Sequence, residues 1–177
     1  MQNGNRLHIY TGDGKGKTTA AMGLALRMLG TGKEVLIVQF MKQPTSSELV
    51  SLRKLPGAHI FEGAAMKGFT YQMDAESLEE ARRGQTEQID RIIEVIRDIK
   101  PAMIVLDELA IASAYHLVPP EEALRLIDAG LEYGEVVVTG RNASEALMEK
   151  ASYVSVIEAK KHPYDEEGLQ ARKGIEW

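Results

Sequence analysis

The stretch Thr11-Gly12-Asp13-Gly14-Lys15-Gly16-Lys17-Thr18-Thr19 carries the residue types of a triphosphate-binding loop. Three glycines at alternate positions let successive backbone N–H groups converge on an anion, at the positive end of a following helix. Lys17 supplies a point charge for the phosphates, and the hydroxyl of Thr18 is a ligand for Mg²⁺. Lys15 is a second cation that either neutralises phosphate or faces solvent. The spacing departs from the common pattern at Thr11, where the first glycine usually stands. An apolar run, Leu7–Tyr10, precedes the loop, and Ala20-Ala21-Met22-Gly23-Leu24-Ala25-Leu26, which reads as a buried helix, follows it. That flanking makes the motif a P-loop instead of a glycine turn with an incidental lysine.

A second chemical signal is Asp107-Glu108, placed directly after the apolar Met103-Ile104-Val105-Leu106. A carboxylate at the end of a buried strand can hold Mg²⁺ opposite Thr18, directly or through water. The pair fits hydrolysis and group transfer equally. Arg141, after Val136-Val137-Val138-Thr139-Gly140, is placed to brace a distal phosphate or to stand in solvent. Lys42 lies just beyond the end of another apolar run. Phe69 and Tyr71, two apart, share one face of an extended segment. They suit a platform for a flat ligand or a tuck into the core. The four histidines, His8, His59, His116 and His162, show no metal-binding spacing, and the first three read as structural.

These groups need a frame, and the hydrophobic pattern supplies one. Strands are expected over Arg6–Tyr10, Glu34–Phe40, Ala58–Glu62, Met103–Leu106, Val136–Val138 and Tyr153–Ile157, several of them continuous branched runs typical of buried parallel strands. Helices are expected from the P-loop to Leu29, over Glu48–Leu55, and from Asp74 to the stop at Pro101. The last of these carries an apolar stripe of Ile89, Ile92, Ile93, Ile96 and Ile99 opposite Arg91, Glu94, Arg97 and Asp98. A further helix starts at Pro119-Pro120-Glu121-Glu122, with Leu124, Ile127 and Leu131 as its apolar face. Asn142 and Glu145 form a capping-box pattern for a helix over Ala143–Lys150. The alternation predicts an α/β fold, P-loop NTPase-like, with a mainly parallel β-sheet covered by helices on both faces. In such sheets ligands gather at the carboxyl ends of the strands. The stretches 11–19, 39–42, 107–108, 139–141 and the tail from 158 all begin at such ends.

Composition sets the limits. The 177 residues suit one domain over 1–177, with 1–5 disordered and 158–177 a polar tail. The net charge of −5 argues against a broad nucleic-acid surface. With no cysteine, disulfides, zinc ribbons and thiol catalysis are excluded. No apolar stretch approaches a membrane span and no signal core opens the chain, so a cytoplasmic enzyme is expected.

The set of motifs resembles one family. Thr-Gly-Asp-Gly-Lys-Gly-Lys-Thr-Thr-Ala-Ala (11–21), Val-Gln-Phe-Met-Lys (38–42), Gly-Phe-Thr-Tyr (68–71), Val-Leu-Asp-Glu-Leu (105–109), Thr-Gly-Arg (139–141), Lys-His-Pro-Tyr-Asp (161–165) and Lys-Gly-Ile-Glu (173–176) resemble the P-loop type of corrinoid adenosyltransferase. The match runs in order from residue 6 to the C-terminus, and a threonine at position 11 is what this family has there. The resemblance implies transfer of the 5′-deoxyadenosyl group of ATP to the cobalt(I) of a reduced corrinoid, with inorganic triphosphate as the other product. It implies that residues 11–19 and Arg141 hold ATP, that Thr18 and Glu108 serve Mg²⁺ with Asp107 beside them, and that Lys17 acts on the leaving phosphates. It places Phe69 and Tyr71 at the corrinoid's lower face, keeping the lower ligand off cobalt, with Lys42 also in the site. It implies a homodimer; a tail folded over the site is expected, and a flavin-type protein is a plausible electron donor that the sequence does not name. The chain departs from the family pattern at Tyr71, where tryptophan is usual, and at Gln43 and Asn142, where glycine is usual. Ala110-Ile111 is also less polar than in many members. A P-loop ATPase or kinase acting at the γ-phosphate is the competing expectation.

Overall fold

The structure is a computed structural model and describes residues 4–41, 46–62 and 75–175. Six strands make one sheet: β1 (Leu7–Thr11), β2 (Val35–Gln39), β3 (Ala58–Ile60), β4 (Met103–Asp107), β5 (Glu135–Thr139) and β6 (Tyr153–Val156). Their order across the sheet is β3-β2-β4-β5-β1-β6, and every neighbouring pair is parallel. The helices are α1 (Lys17–Leu29), α2 (Ser47–Leu52), α3 (Ala75–Ile99), α4 (Leu109–Ala114), α5 (Pro120–Leu131), α6 (Glu145–Lys150) and α7 (Pro163–Glu167).

Alternation along the strands divides the core into two layers. Leu36, Val38, Ile104, Leu106, Val136 and Val138 point to one face, where they meet Ile89, Ile92 and Ile96 of α3, Leu109 of α4, Leu126 and Ile127 of α5 and Leu147 of α6. Val35, Ile37, Met103, Val105 and Val137 point to the other, under Ala21, Met22, Ala25 and Leu29 of α1 and Leu49 and Leu52 of α2. This is why β2 and β4 read as unbroken apolar runs: both of their faces are covered. Each fully buried aliphatic side chain here contributes roughly 1.5–3 kcal/mol. The isoleucine stripe on α3 packs as its spacing predicts, with Ile99 only half-buried.

Three expectations need correction. The helix after residue 142 is capped by Ser144, whose hydroxyl accepts from the Leu147 N–H at 3.4 Å. Asn142 instead turns the chain in the left-handed region with φ 56. An extended backbone at Ser144 lets its oxygen reach the first turn, and a left-handed Asn142 lies outside it. The buried stripe of α5 is Ala123, Leu126, Ile127 and Gly130, with Leu124 and Leu131 flanking it. Helix α4, beginning one residue after β4, was not foreseen. It is short, and its apolar residues carry no periodicity distinguishable from a continuing strand. The aromatic pair Phe69 and Tyr71, and Lys42, lie outside the described residues.

Candidate active site

Parallel strands end on the same edge, so residues 11–19, 39–41, 107–108 and 139–141 and the start of the tail come together there. Strands β1, β2, β4, β5 and β6 end at Thr11, Gln39, Asp107, Thr139 and Val156. Just past these ends the chain turns repeatedly through positive φ, at Gly12, Met41, Glu108, Gly140 and Asn142. A cavity of about 1060 Å³ opens above this edge. Its walls include the loop 13–18, Glu108 and Arg141, together with residues of α1, α2 and the tail. Small-molecule sites commonly run from about 300 to 1,000 Å³, so this one is large enough for a nucleotide.

The floor is the phosphate-type loop. Gly16 stands at the N-cap of α1 with φ 117, no side chain caps that end, and the first turn holds no acid. The dipole of a thirteen-residue helix therefore points its positive end at the loop, where it favours an anion. The loop is pinned from outside. Gly14 N–H donates to the Ile157 carbonyl at 2.7 Å, and Ile157 N–H donates to the Thr11 carbonyl at 2.8 Å. A Cβ on Gly12 would stand 2.5 Å from the Ile157 oxygen, and one on Gly14 would stand 2.7 Å from the Glu158 carbonyl carbon. The glycines thus serve close backbone approach to the end of β6 as well as turn geometry. The side chain of Lys17 folds onto the loop, its Nζ donating to the Gly14 carbonyl at 2.8 Å. Thr11, in the place of the usual first glycine, is buried, and its Oγ1 accepts from the Ala143 N–H at 3.4 Å. A hydroxyl there ties the loop to the segment after β5, which a glycine would not do.

Beside the loop lies a hydrogen-bonded set centred on Asp107, which is fully buried. Thr18 Oγ1 donates to Asp107 Oδ1 at 2.8 Å, and Thr139 Oγ1 donates to the same oxygen at 2.7 Å. Gln39 Nε2 donates to Oδ2 at 3.1 Å, and the Ser46 hydroxyl donates to Gln39 Oε1 at 3.2 Å. The Glu108 N–H donates to Thr139 Oγ1 at 2.9 Å. Glu108 itself is left-handed, with φ 63, between β4 and α4. A non-glycine residue there costs about 1–2 kcal/mol. The turn it makes sets Glu108 in the wall of the cavity that Thr18 also lines. Thr18, Asp107 and Glu108 together offer only hard oxygen atoms, the donor set that suits Mg²⁺. Because Thr18 gives its proton to Asp107, that hydroxyl presents lone pairs to anything else that approaches.

Thr139, Gln39 and Ser46 had no individual role in the sequence reading. Each of the first two is a polar residue closing an otherwise apolar strand, and Gln39 is in register with Asp107 on the neighbouring strand. A polar end to a buried run is the signal that was available. Arg141 is half-exposed and reaches back to the loop, with Nη2 donating to the Asp13 carbonyl at 3.4 Å and Nε 3.7 Å from its carboxylate. An exposed pair of this kind contributes little to stability. It does hold the guanidinium over the loop. Asp13, Lys15, Thr19 and Arg141 all line the cavity. On β1, burial pushes the Tyr10 phenol up, with nearby Arg27 partly offsetting it, so the ring stays protonated at neutral pH.

Gly140 shapes the same wall. Its φ is 137, and a Cβ there would stand 2.8 Å from the Ile111 nitrogen and 3.1 Å from Ala110 Cβ. Gly140→Ala is therefore expected to cost about 2 kcal/mol or more. Thermal unfolding should show a fall of about 4–8 °C; an unchanged midpoint would mean that α4 yields freely.

Comparison with known proteins adds to the geometry. Residues 3–177 match the sequence model of the family described as "ATP:corrinoid adenosyltransferase BtuR/CobO/CobP". The chain is 34% identical over 170 residues to the "Corrinoid adenosyltransferase" of Escherichia coli strain K12, covering 96% of this chain and 84% of that one. It is also 34% identical to "Corrinoid adenosyltransferase CobA" of Salmonella typhimurium, with the same coverage. To the "Corrinoid adenosyltransferase" of Pseudomonas aeruginosa it is 31% identical over 172 residues, covering 97% of this chain and 83% of that one.

Proposed function

The chain belongs to the ATP:corrinoid adenosyltransferase family, and on that premise we propose how its own residues divide the work. Its substrates are ATP and a corrinoid, and it moves the 5′-deoxyadenosyl group from the first to the second. In the reaction a cobalt(I) electron pair attacks C5′ of ATP. The Co–C bond forms, the C5′–O bond breaks, and its electron pair leaves on triphosphate. No proton moves in that step, so no general base is needed. What the protein must supply is placement of C5′ and stabilisation of charge on the departing triphosphate.

The loop 11–19 and the N-terminus of α1 receive the triphosphate. Lys17 exchanges the Gly14 carbonyl for phosphate oxygens, and Arg141 turns from Asp13 to the same chain. Lys15 adds positive charge to the loop. Thr18 and Glu108 would hold Mg²⁺, with Asp107 orienting Thr18. When bound, that ion neutralises phosphate charge and lowers the cost of triphosphate departure. Thr139 and Gln39 fix the Asp107 carboxylate from the other side. The roles of Phe69, Tyr71 and Lys42 on the corrinoid side rest on their motifs alone. A flavin-type protein as electron donor, a homodimer, a single domain with its tail at the site and a cytoplasmic location complete the reading. No described helix is long and apolar enough to cross a membrane.

The observation that carries this assignment of roles is the Thr18–Asp107 hydrogen bond, which joins the phosphate loop to the acidic strand end in one cavity. The test is anaerobic incubation with MgATP and chemically reduced cob(I)alamin, following the corrinoid spectrum and the phosphate products together. Adenosylcobalamin and triphosphate are expected in equal amounts. ADP and phosphate with an unchanged corrinoid would place the chemistry at the γ-phosphate instead.

A further inference from the structure

A half-exposed arginine is useful over the phosphate loop only if the backbone beneath its long stem is fixed. Arg141 and Asn142 stand between two anchored residues, and both anchors belong to the end of β1. On one side the Gly140 N–H donates to the Tyr10 carbonyl at 3.2 Å. On the other the Ala143 N–H donates to Thr11 Oγ1 at 3.4 Å. Gly140 and Asn142 both take positive φ, 137 and 56, so the chain folds back on each side of Arg141. Thr11 is itself held, since it is buried and its carbonyl accepts from the Ile157 N–H at 2.8 Å. Among the described residues of the loop, those lining the cavity begin at Asp13, whereas Thr11 and Gly12 do not line it. Thr11 therefore acts on what the cavity holds through a neighbour. The neighbour its hydroxyl reaches is the turn that carries Arg141, and Arg141 does line the cavity.

We propose that Thr11 is a positioning residue for Arg141: through Ala143, its hydroxyl fixes the turn that presents the guanidinium to the phosphate chain. This rests on the assignment of Arg141 to the phosphates made above. A guanidinium is a planar fork and meets phosphate oxygens well from a limited set of directions. A small shift of its Cα is magnified at the end of the stem, so an anchor at the backbone governs where the charge arrives. Asp13 holds the same arginine only by its head, through an exposed pair that an arriving phosphate displaces. The hold by Thr11 lies outside the cavity and persists when the site fills. Valine at position 11 keeps the shape of the side chain but leaves Ala143 without its acceptor, and the turn is free to drift from the loop. Serine keeps the acceptor.

Calorimetric titration with MgATP of wild type, Thr11→Val, Thr11→Ser, Arg141→Ala and the double variant Thr11→Val/Arg141→Ala tests this, alongside thermal unfolding of each. Thr11→Val should bind MgATP about three- to tenfold more weakly, the size of one lost hydrogen bond. Thr11→Ala, which also lacks the acceptor, should give the same pattern, and Thr11→Ser should restore affinity to within about twofold of wild type. Arg141→Ala should itself bind more weakly. Adding Thr11→Val to it should change affinity by less than about twofold, because no guanidinium is left to place. The melting temperature should fall by about 2–4 °C with Thr11→Val in both backgrounds, so loosening of the fold is read separately from placement. Equal weakening with and without Arg141 overturns the proposal, since Thr11 would then act on the loop itself. Wild-type affinity in Thr11→Val overturns it too, as does a Thr11→Ser that binds no better than Thr11→Val. If Arg141→Ala alone binds MgATP like wild type, the assignment of Arg141 to the phosphates falls first and this inference with it.

Discussion

Replacing Lys17 by alanine is expected to cut the rate of adenosyl transfer by about 10³-fold. The reaction's difficulty lies in the charge that gathers on the departing triphosphate, and Lys17 is the cation rooted in the first residue of α1. In the structure its Nζ rests on the Gly14 carbonyl, so the ammonium is already held at the loop before substrate arrives. Removing it deletes a point charge from a site whose backbone donors stay in place. The fold should survive with little change in melting temperature, since the methylene stem is only half-buried. Lys17→Arg should fall between, because a guanidinium keeps the charge but is broader and reaches differently. The readout is formation of the adenosylated corrinoid under anaerobic conditions. Turnover like wild type in the alanine variant would remove Lys17 from the mechanism.

Asp107 allows charge and packing to be separated. Asp107→Ala leaves the donors of Thr18, Thr139 and Gln39 facing a vacated, fully buried position. Losing those bonds is expected to cost about 3 kcal/mol or more. Asp107→Asn should be milder in stability. Its carbonyl still accepts from both threonines, and its amide can face Gln39 once that side chain flips. The flip turns the Gln39 amide nitrogen toward the Ser46 hydroxyl, which can accept. Chain and charge thus part company: unfolding of the asparagine variant should be close to wild type, whereas transfer should fall about 10²-fold or more. Binding of Mn²⁺, followed by its electron-paramagnetic signal in the presence of ATP, should weaken in parallel. Intact Mn²⁺ binding with lost activity would move Asp107 from the metal's surroundings to the phosphate's.

What could be read from the sequence follows from the range of the forces involved. The loop 11–19 is legible because its demands are local: glycines for the backbone, a lysine and a threonine at the start of a helix. The six strands and the Ile89–Ile96 stripe are legible because period two and period 3.6 are written in consecutive residues. Their boundaries moved by a residue or so, as at Leu7–Thr11 against an expected Arg6–Tyr10. The all-parallel register brings the loop to Asp107 across 89 residues of chain, and the sequence indicated this only through the rule that ligands gather at strand ends. Thr139 and Gln39 stood in stretches marked at strand ends but without roles of their own, because their meaning is a partner on another strand, 32 and 68 residues away in sequence from Asp107. Ser144 displaced Asn142 as a cap because the choice depends on the backbone turn leaving β5.

The position of β1 has a consequence for how the molecule comes into being. Of the six strands of this sheet it is synthesised first, yet both of its neighbours, β5 and β6, belong to residues 135–156. The partner that pins the glycine loop, Ile157, follows immediately after. A growing chain can pair β2 with β4 and bury the isoleucines of α3 while its N-terminal strand still waits for a slot. Contacts closed over so long a stretch form late. The first strand of the sheet is therefore among the last to be seated, and the phosphate site is assembled only after residues 135–157 have been made. A product truncated before residue 135 would carry the complete signature of a nucleotide-binding loop and have nowhere to seat it.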